Sequence, residues 1–194
     1  MTIAITQMKV LLSRQEKLIR LNARYLDLPC NTHLKYQSRF VPGAGNDHPR
    51  VMFLGDVPGY DEDKSGDALA GRRKALVDGL LRGVDLKLEH IYVTHLLKYR
   101  PPNGRDPRPS EAAYSIPLLI EEVRIVQPEV IVSWGLYMLG LLRPGEKMSV
   151  VHGKPVRSSQ GIIFIPMFSP TTAITNPHVL QLLIEDFQSV RKYL

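Results

Sequence analysis

Four short apolar runs constrain the fold of this chain more than any other feature: RVMFLG at Arg50, HIYVTHLL at His90, PEVIVSWG at Pro128 and GIIFIPMF at Gly161. They are rich in β-branched and aromatic residues, and three of them end near Gly or Pro, as buried strands do. Helical spacing of apolar residues fills the intervals, over Arg72–Arg82, Glu111–Val126 and Gly135–Leu142, and a last helical pattern runs from His178 to Tyr193. Strands alternating with helices require crossover connections, and a parallel sheet must be covered on both faces. The expected fold class is therefore α/β, a three-layer α/β/α sandwich with a central four-stranded parallel sheet.

A chain of 194 residues with 44% hydrophobic content has room for a real core, and residues 1–194 are expected to form a single domain. Residues 1–27 are expected to hold a leading amphipathic helix. Val10, Leu11, Leu18, Ile19 and Leu21 recur at helical spacing from Gln7 to Tyr25, with Arg14, Lys17 and Arg20 between them. The stretch VPGAGNDHP, from Val41 to Pro49, reads as a turn-rich connection.

Lys and Arg outnumber Asp and Glu by 25 to 19, a formal charge of +6 that favours an anionic partner such as nucleic acid. Cys30 is the only cysteine, which excludes an intramolecular disulfide and any set of thiolates for a metal centre. No run approaches the roughly 20 apolar residues that cross a bilayer, and no signal-peptide pattern opens the chain. The expectation is a monomeric cytoplasmic protein with no membrane contact and no cofactor. Walker loop, dinucleotide fingerprint and serine-hydrolase elbow are all missing from the sequence.

In parallel sheets ligands bind beyond the carboxyl ends of the strands, so the loops that follow the apolar runs are where chemistry is sought. After the first run comes GDVPGYDEDKSG, whose Asp56, Asp61, Glu62 and Asp63 either gather around a hard cation or brace the loop; bracing is preferred, because no second acidic cluster appears at the other strand ends. The segment KYRPPNGRDPRPSE offers Lys98, Arg100, Arg105 and Arg108 among prolines, either as phosphate contacts or as an exposed linker. Near the end, FSPTTAITNP presents Ile174, either as a wedge between stacked bases or as a residue packed inward. His95 closes an apolar strand, where a histidine is either structural or a ligand to whatever enters the crevice.

Taken together, these loops resemble the uracil-DNA glycosylase superfamily, most closely its family 4. The family loop G-E-x-P-G-x-x-E-D-x-x-G is matched at Gly55, Pro58, Gly59, Glu62, Asp63 and Gly66. YVTHLLKYRPP resembles Y-I-T-N-x-x-K-C-R-P-P, and SRFVPGAGN resembles the lead-in to the first strand. HGKPV and FSPTTAITNP stand where the family has R-G-K and H-P-x-x-L-L-R-N-P. The resemblance implies a protein that binds DNA, flips a base into a pocket and hydrolyses its N-glycosidic bond. It assigns Asp56 and His95 to catalysis, and Val57, Pro58, Gly59, Leu69 and Ser169 to the base pocket. Contacts to DNA are expected from Lys98, Arg100, Arg105 and Ile174.

The chain departs from this pattern where the chemistry should sit. Asp56 stands for the family's glutamate, Leu69 for the stacking aromatic, His95 for the base-reading asparagine and Ser169 for the histidine of the last motif. The four cysteines of the family's iron–sulfur cluster correspond to Cys30, His33, Tyr99 and Ser115, so no cluster is expected. These changes imply either a glycosylase with altered specificity for a uracil-like or modified base, or a non-catalytic DNA-binding member. A hydrolase of free nucleosides or nucleotides is a third reading.

Overall fold

The computed structural model describes residues 12–31 and 34–193. The strands are β1 (Ala44–Gly45), β2 (Val51–Gly55), β3 (Ile91–His95), β4 (Val130–Trp134), β5 (Val156–Arg157) and β6 (Ile163–Met167). The helices are α1 (Arg14–Leu26), α2 (Tyr60–Ser65), α3 (Gly71–Arg82), α4 (Pro109–Val126), α5 (Leu136–Leu142), α6 (Met148–Val151), α7 (Pro170–Thr175) and α8 (Pro177–Arg191). The sheet runs in the order β1-β3-β2-β4-β6-β5. Its four long strands are mutually parallel, and the two-residue strands β1 and β5 add antiparallel edges.

Alternation along the strands makes the two faces. Val51, Phe53, Ile91, Val93, Val130, Val132, Ile163 and Ile165 face one way and join Val77 and Leu81 of α3 and Leu183 and Phe187 of α8. Met52, Leu54, Tyr92 and Ile131 face the other way, against Ala112, Leu119 and Val126 of α4 and Met138 of α5. β2, β3 and β4 are buried on both faces, which is why each reads as a continuous apolar run rather than an alternating one. The α/β/α sandwich with a four-stranded parallel core is the observed architecture.

Helix α1 packs outside α4 through Leu21, Tyr25 and Leu118. Ser13 starts it with a reciprocal capping box, accepting from the Glu16 amide while its own amide donates to Glu16. The leading helix expected from Gln7 thus begins at Arg14, and residues 7–11 of that expectation lie outside the described residues. No helix among the described residues is long and apolar enough to cross a membrane.

Behind β3 lies a buried charge pair. Lys98 Nζ sits 2.8 Å from Glu122 Oε2 with both side chains out of water, and it also donates to Thr94 Oγ1. Glu122 accepts from Tyr92 Oη and Thr94 Oγ1, each at 2.9 Å, and Lys98 lies 4.9 Å from the centre of the Tyr25 ring. Burial pulls the ammonium pKa down, and Glu122 opposes that pull. Lys98, expected among the DNA contacts, is therefore corrected: a side chain enclosed in the core reaches no phosphate. Removing one partner strands the other charge, at a cost of about 3–5 kcal/mol. In urea unfolding, Glu122→Gln is expected to lose stability on that scale, and Lys98→Met combined with Glu122→Gln to lose less than either single change.

Candidate active site

The order of the parallel strands reverses between β2 and β4, since β2 pairs with β3 on one side and β4 on the other. The chain leaves these two neighbours in opposite lateral directions, which opens a crevice beyond their carboxyl ends. A cleft of about 640 Å³ lies there, lined by Gly55 to Tyr60 after β2, Trp134 to Leu136 after β4, and Phe168 and Ser169 after β6. Arg73 of α3 and Arg100 with Asn103, Gly104 and Asp106 complete its wall.

Two carboxylates border this cleft, exposed Asp106 and the more enclosed Asp56. Asp56 Oδ1 accepts from the Met138 amide at 2.9 Å and its Oδ2 from the Tyr137 amide at 3.2 Å, so the first turn of α5 fixes both oxygens. Gly135 makes the approach possible, because a Cβ there would lie 2.1 Å from Asp56 Oδ2 and the backbone takes φ +110°. Burial pushes the Asp56 pKa up to about 6, against the lowering effect of the two amides. The result is a carboxylate that is ionised at neutral pH yet a stronger base than a surface aspartate.

Val57, Pro58 and Gly59, expected in a base pocket, line the cleft beside Asp56. Ser169 does too. It caps α7 by accepting from the Thr171 amide at 3.2 Å, which leaves its hydroxyl hydrogen free to donate into the cleft. Two other acidic residues of the loop are braces: buried Glu62 accepts from the Ala70 amide and from Arg73 Nη1, each at 3.1 Å. Asp63 accepts from Ser38 Oγ at 2.6 Å and the Arg39 amide at 2.8 Å.

Besides Lys98, four expected site residues are placed elsewhere. Leu69 is buried in the apolar cluster that holds Phe53 and Trp134, and it lies off the cleft wall, because a leucine between α2 and α3 finds more apolar surface in the core. His95 is 1% exposed and lies under Gly55, where a Cβ would come within 2.7 Å of its Cδ2. Both of its ring nitrogens are buried without partners, and burial, with Arg73 and Lys98, holds its pKa well below the usual histidine range. His95 is thus a neutral ring one layer behind the cleft. Arg105 spends its fork on Glu111, at 2.8 and 2.7 Å, and on the Asp106 carbonyl at 2.9 Å, which ties the proline-rich loop to the start of α4. Ile174 is half-buried on α7, not at a loop tip, because Ser169 and Pro170 start a helix where a loop was expected. Arg100, expected among the DNA contacts, lies on the cleft wall.

Sequence reasoning missed Arg73, Trp134 and Phe168. Trp134 stacks on Phe53 with ring centres 4.6 Å apart, and Phe168 packs on His152 at 5.2 Å. The strand end WG and the run MFSP carried the signal for the two aromatics, since side chains at those positions must border the crevice. Nothing local marks Arg73.

A match to the uracil DNA glycosylase superfamily domain covers residues 42–192. The chain belongs to the uracil DNA glycosylase superfamily. It is 33% identical over 169 residues to a type-4 uracil-DNA glycosylase of Thermotoga maritima, covering 85% of this chain and 88% of that protein. A type-4 uracil-DNA glycosylase of Sulfurisphaera tokodaii is 30% identical over 167 residues, covering 81% of this chain and 76% of the relative. With Cys30 as its one cysteine, the sequence does not fit a four-thiolate iron–sulfur centre. Cys30 Sγ donates to Asn31 Oδ1 at 3.6 Å, and burial chiefly pushes its thiol up in pKa. Tyr99 is buried against the Phe40 ring, 5.5 Å between centres, and His33 lies outside the described residues.

Asp56 also has a consequence for stability. The folded state keeps its proton up to about pH 6, whereas an unfolded aspartate releases it near ~3.9, so the native state binds more protons in that window. Stability therefore falls as pH rises from about 4 to about 6 through this group. Urea unfolding across that range is expected to show the fall in the wild type and a shallower slope in Asp56→Asn.

Proposed function

We propose that this superfamily member is a DNA glycosylase that hydrolyses the N-glycosidic bond of a flipped uracil-like or modified base. The observation that carries the reading is the Asp56 carboxylate, fixed by two backbone amides on the floor of a cleft of about 640 Å³. That volume suits a nucleoside-sized ligand. Its relatives' name, type-4 uracil-DNA glycosylase, supports the same substrate class.

A base inside a duplex is out of reach, so the nucleotide must leave the stack, at a cost of roughly a few kcal/mol. Phe168, half-buried at the cleft, offers an aromatic face to the extruded base, and this replaces the role first assigned to Leu69. Ser169 offers a hydroxyl donor to the base edge, and Arg100 a cation to the flanking backbone. Asp56 orients a water at C1′ of the sugar. As the C1′–N bond breaks, its electron pair leaves with the base, the water oxygen bonds to C1′, and the water proton passes to Asp56. A pKa of about 6 suits this task, because the group is ionised at pH 7 and still accepts a proton readily. His95, neutral and enclosed, is assigned no proton transfer.

Oligonucleotides carrying uracil, hypoxanthine or a 5-substituted pyrimidine, single- and double-stranded, test the reading. Alkali-sensitive abasic product from at least one of them is expected, with Asp56→Asn slower by about 10²–10⁴. Salt-sensitive DNA binding with no abasic product from any substrate would refute it and favour a binding-only member.

A further inference from the structure

Arg73 carries more hydrogen-bonding capacity than its structural duty uses. It leaves α3 in the first turn, lines the cleft with Asp56, Trp134 and Ser169, and its side chain is 11% exposed. Its hydrogen bond runs from Nη1 to Glu62 Oε2 at 3.1 Å, while the other Glu62 oxygen is taken by the Ala70 amide. Its Nε is buried with no partner. A guanidinium whose task is only to neutralise a carboxylate ordinarily grips it with two prongs, as Arg105 grips Glu111. Arg73 instead holds Glu62 by one prong. Gly59 leaves it room, since a Cβ there would lie 2.7 Å from Nη1. The charge is felt across the site: it opposes the burial that raises the Asp56 pKa and adds to the burial that lowers that of His95.

We infer that Arg73 is a catalytic residue that binds the negative charge developing on the departing base. This rests on the glycosylase reading above. When the C1′–N bond breaks, the electron pair spreads from the ring nitrogen onto the exocyclic oxygens of the base. Arg73 donates an N–H to such an oxygen and keeps its own proton throughout; the base later takes a proton from solvent. A fixed cation in a recessed site acts on charge that exists only late in the reaction, where such groups count most. Its recession beside Asp56 separates it from the backbone phosphates, which Arg100 is placed to meet at the cleft wall.

Single-turnover release of uracil and of 5-fluorouracil from DNA tests the assignment, because the fluorinated base is the better leaving anion and needs less help. Arg73→Gln is expected to slow uracil release by about 10²–10³, to slow 5-fluorouracil release clearly less, and to leave the salt dependence of DNA binding unchanged. Equal loss on both bases would overturn the proposal in favour of a structural role. Equal loss with a salt slope reduced by about one would overturn it in favour of a phosphate contact. Since Arg73→Gln leaves Glu62 unpaired in the core, Glu62→Gln with Arg73→Gln removes both charges together, and the same pattern is expected from it.

Equilibrium binding of free 5-fluorouracil gives a readout that needs no turnover. Affinity is expected to rise with pH as this ligand ionises in the wild type, and not in either variant. If the wild type cleaves nothing yet shows that Arg73-dependent rise, the glycosylase reading fails and the anion site stands. If the wild type shows no rise, the Arg73 assignment fails whatever the cleavage assay reports.

Discussion

The reversal of strand order between β2 and β4 is the constraint on which the site depends. Because β2 and β4 pair in register, Gly55 stands opposite Trp134, and the next residues, Asp56 and Gly135, meet at the mouth of the crevice. A side chain at position 135 would fill the space the carboxylate needs. With glycine there, the amides of α5 reach both oxygens of Asp56, and the surrounding wall keeps enough water away to raise its pKa. Sheet topology, one glycine and the first turn of one helix together define what the aspartate can do.

The fold sorts its cations by what neutralises them. Lys98 is wholly enclosed and tied to Glu122 in a network with Thr94 and Tyr92, so its charge serves packing between β3 and α4. Arg105 is locked to Glu111 and fixes a loop. Arg73 lies between these cases, anchored to a buried carboxylate on one side and open to the cleft on the other. A buried Glu62 is costly without a partner, and supplying that partner from α3 is what brings a guanidinium beside Asp56. The acidic loop after β2 thus carries Asp56 and, through Glu62, holds the Arg73 guanidinium at the same cleft.

Much of the architecture was legible because β2, β3 and β4 are buried on both faces and therefore read as unbroken apolar runs. The edge strands were not legible: Ala44–Gly45 and Val156–Arg157 are two residues long and exist only through pairing with β3 and β6. Helix α7 was also missed, although Ser169 followed by Pro170 is a helix start, because six mixed residues show no periodicity. In the site, Asp56 was legible as the carboxylate next to a strand end. Lys98 and Arg73 were not, since their fates are set by Glu122 and Glu62 on other elements, 24 and 11 residues away. Leu69 and His95 show the same limit: position in a motif does not say whether a side chain turns toward the cleft or the core.

The central claim is that Asp56 is a working base with a raised pKa. The direct measurement is the titration of its side-chain carboxyl by ¹³C NMR, set against the pH profile of single-turnover base release. The account requires a midpoint of about 6 and a cleavage rate that rises through the same pH. A carboxyl titrating near ~4, as in an exposed aspartate, with a rate indifferent to pH between 5 and 7 on the order of one unit either side of the expected midpoint, would contradict it.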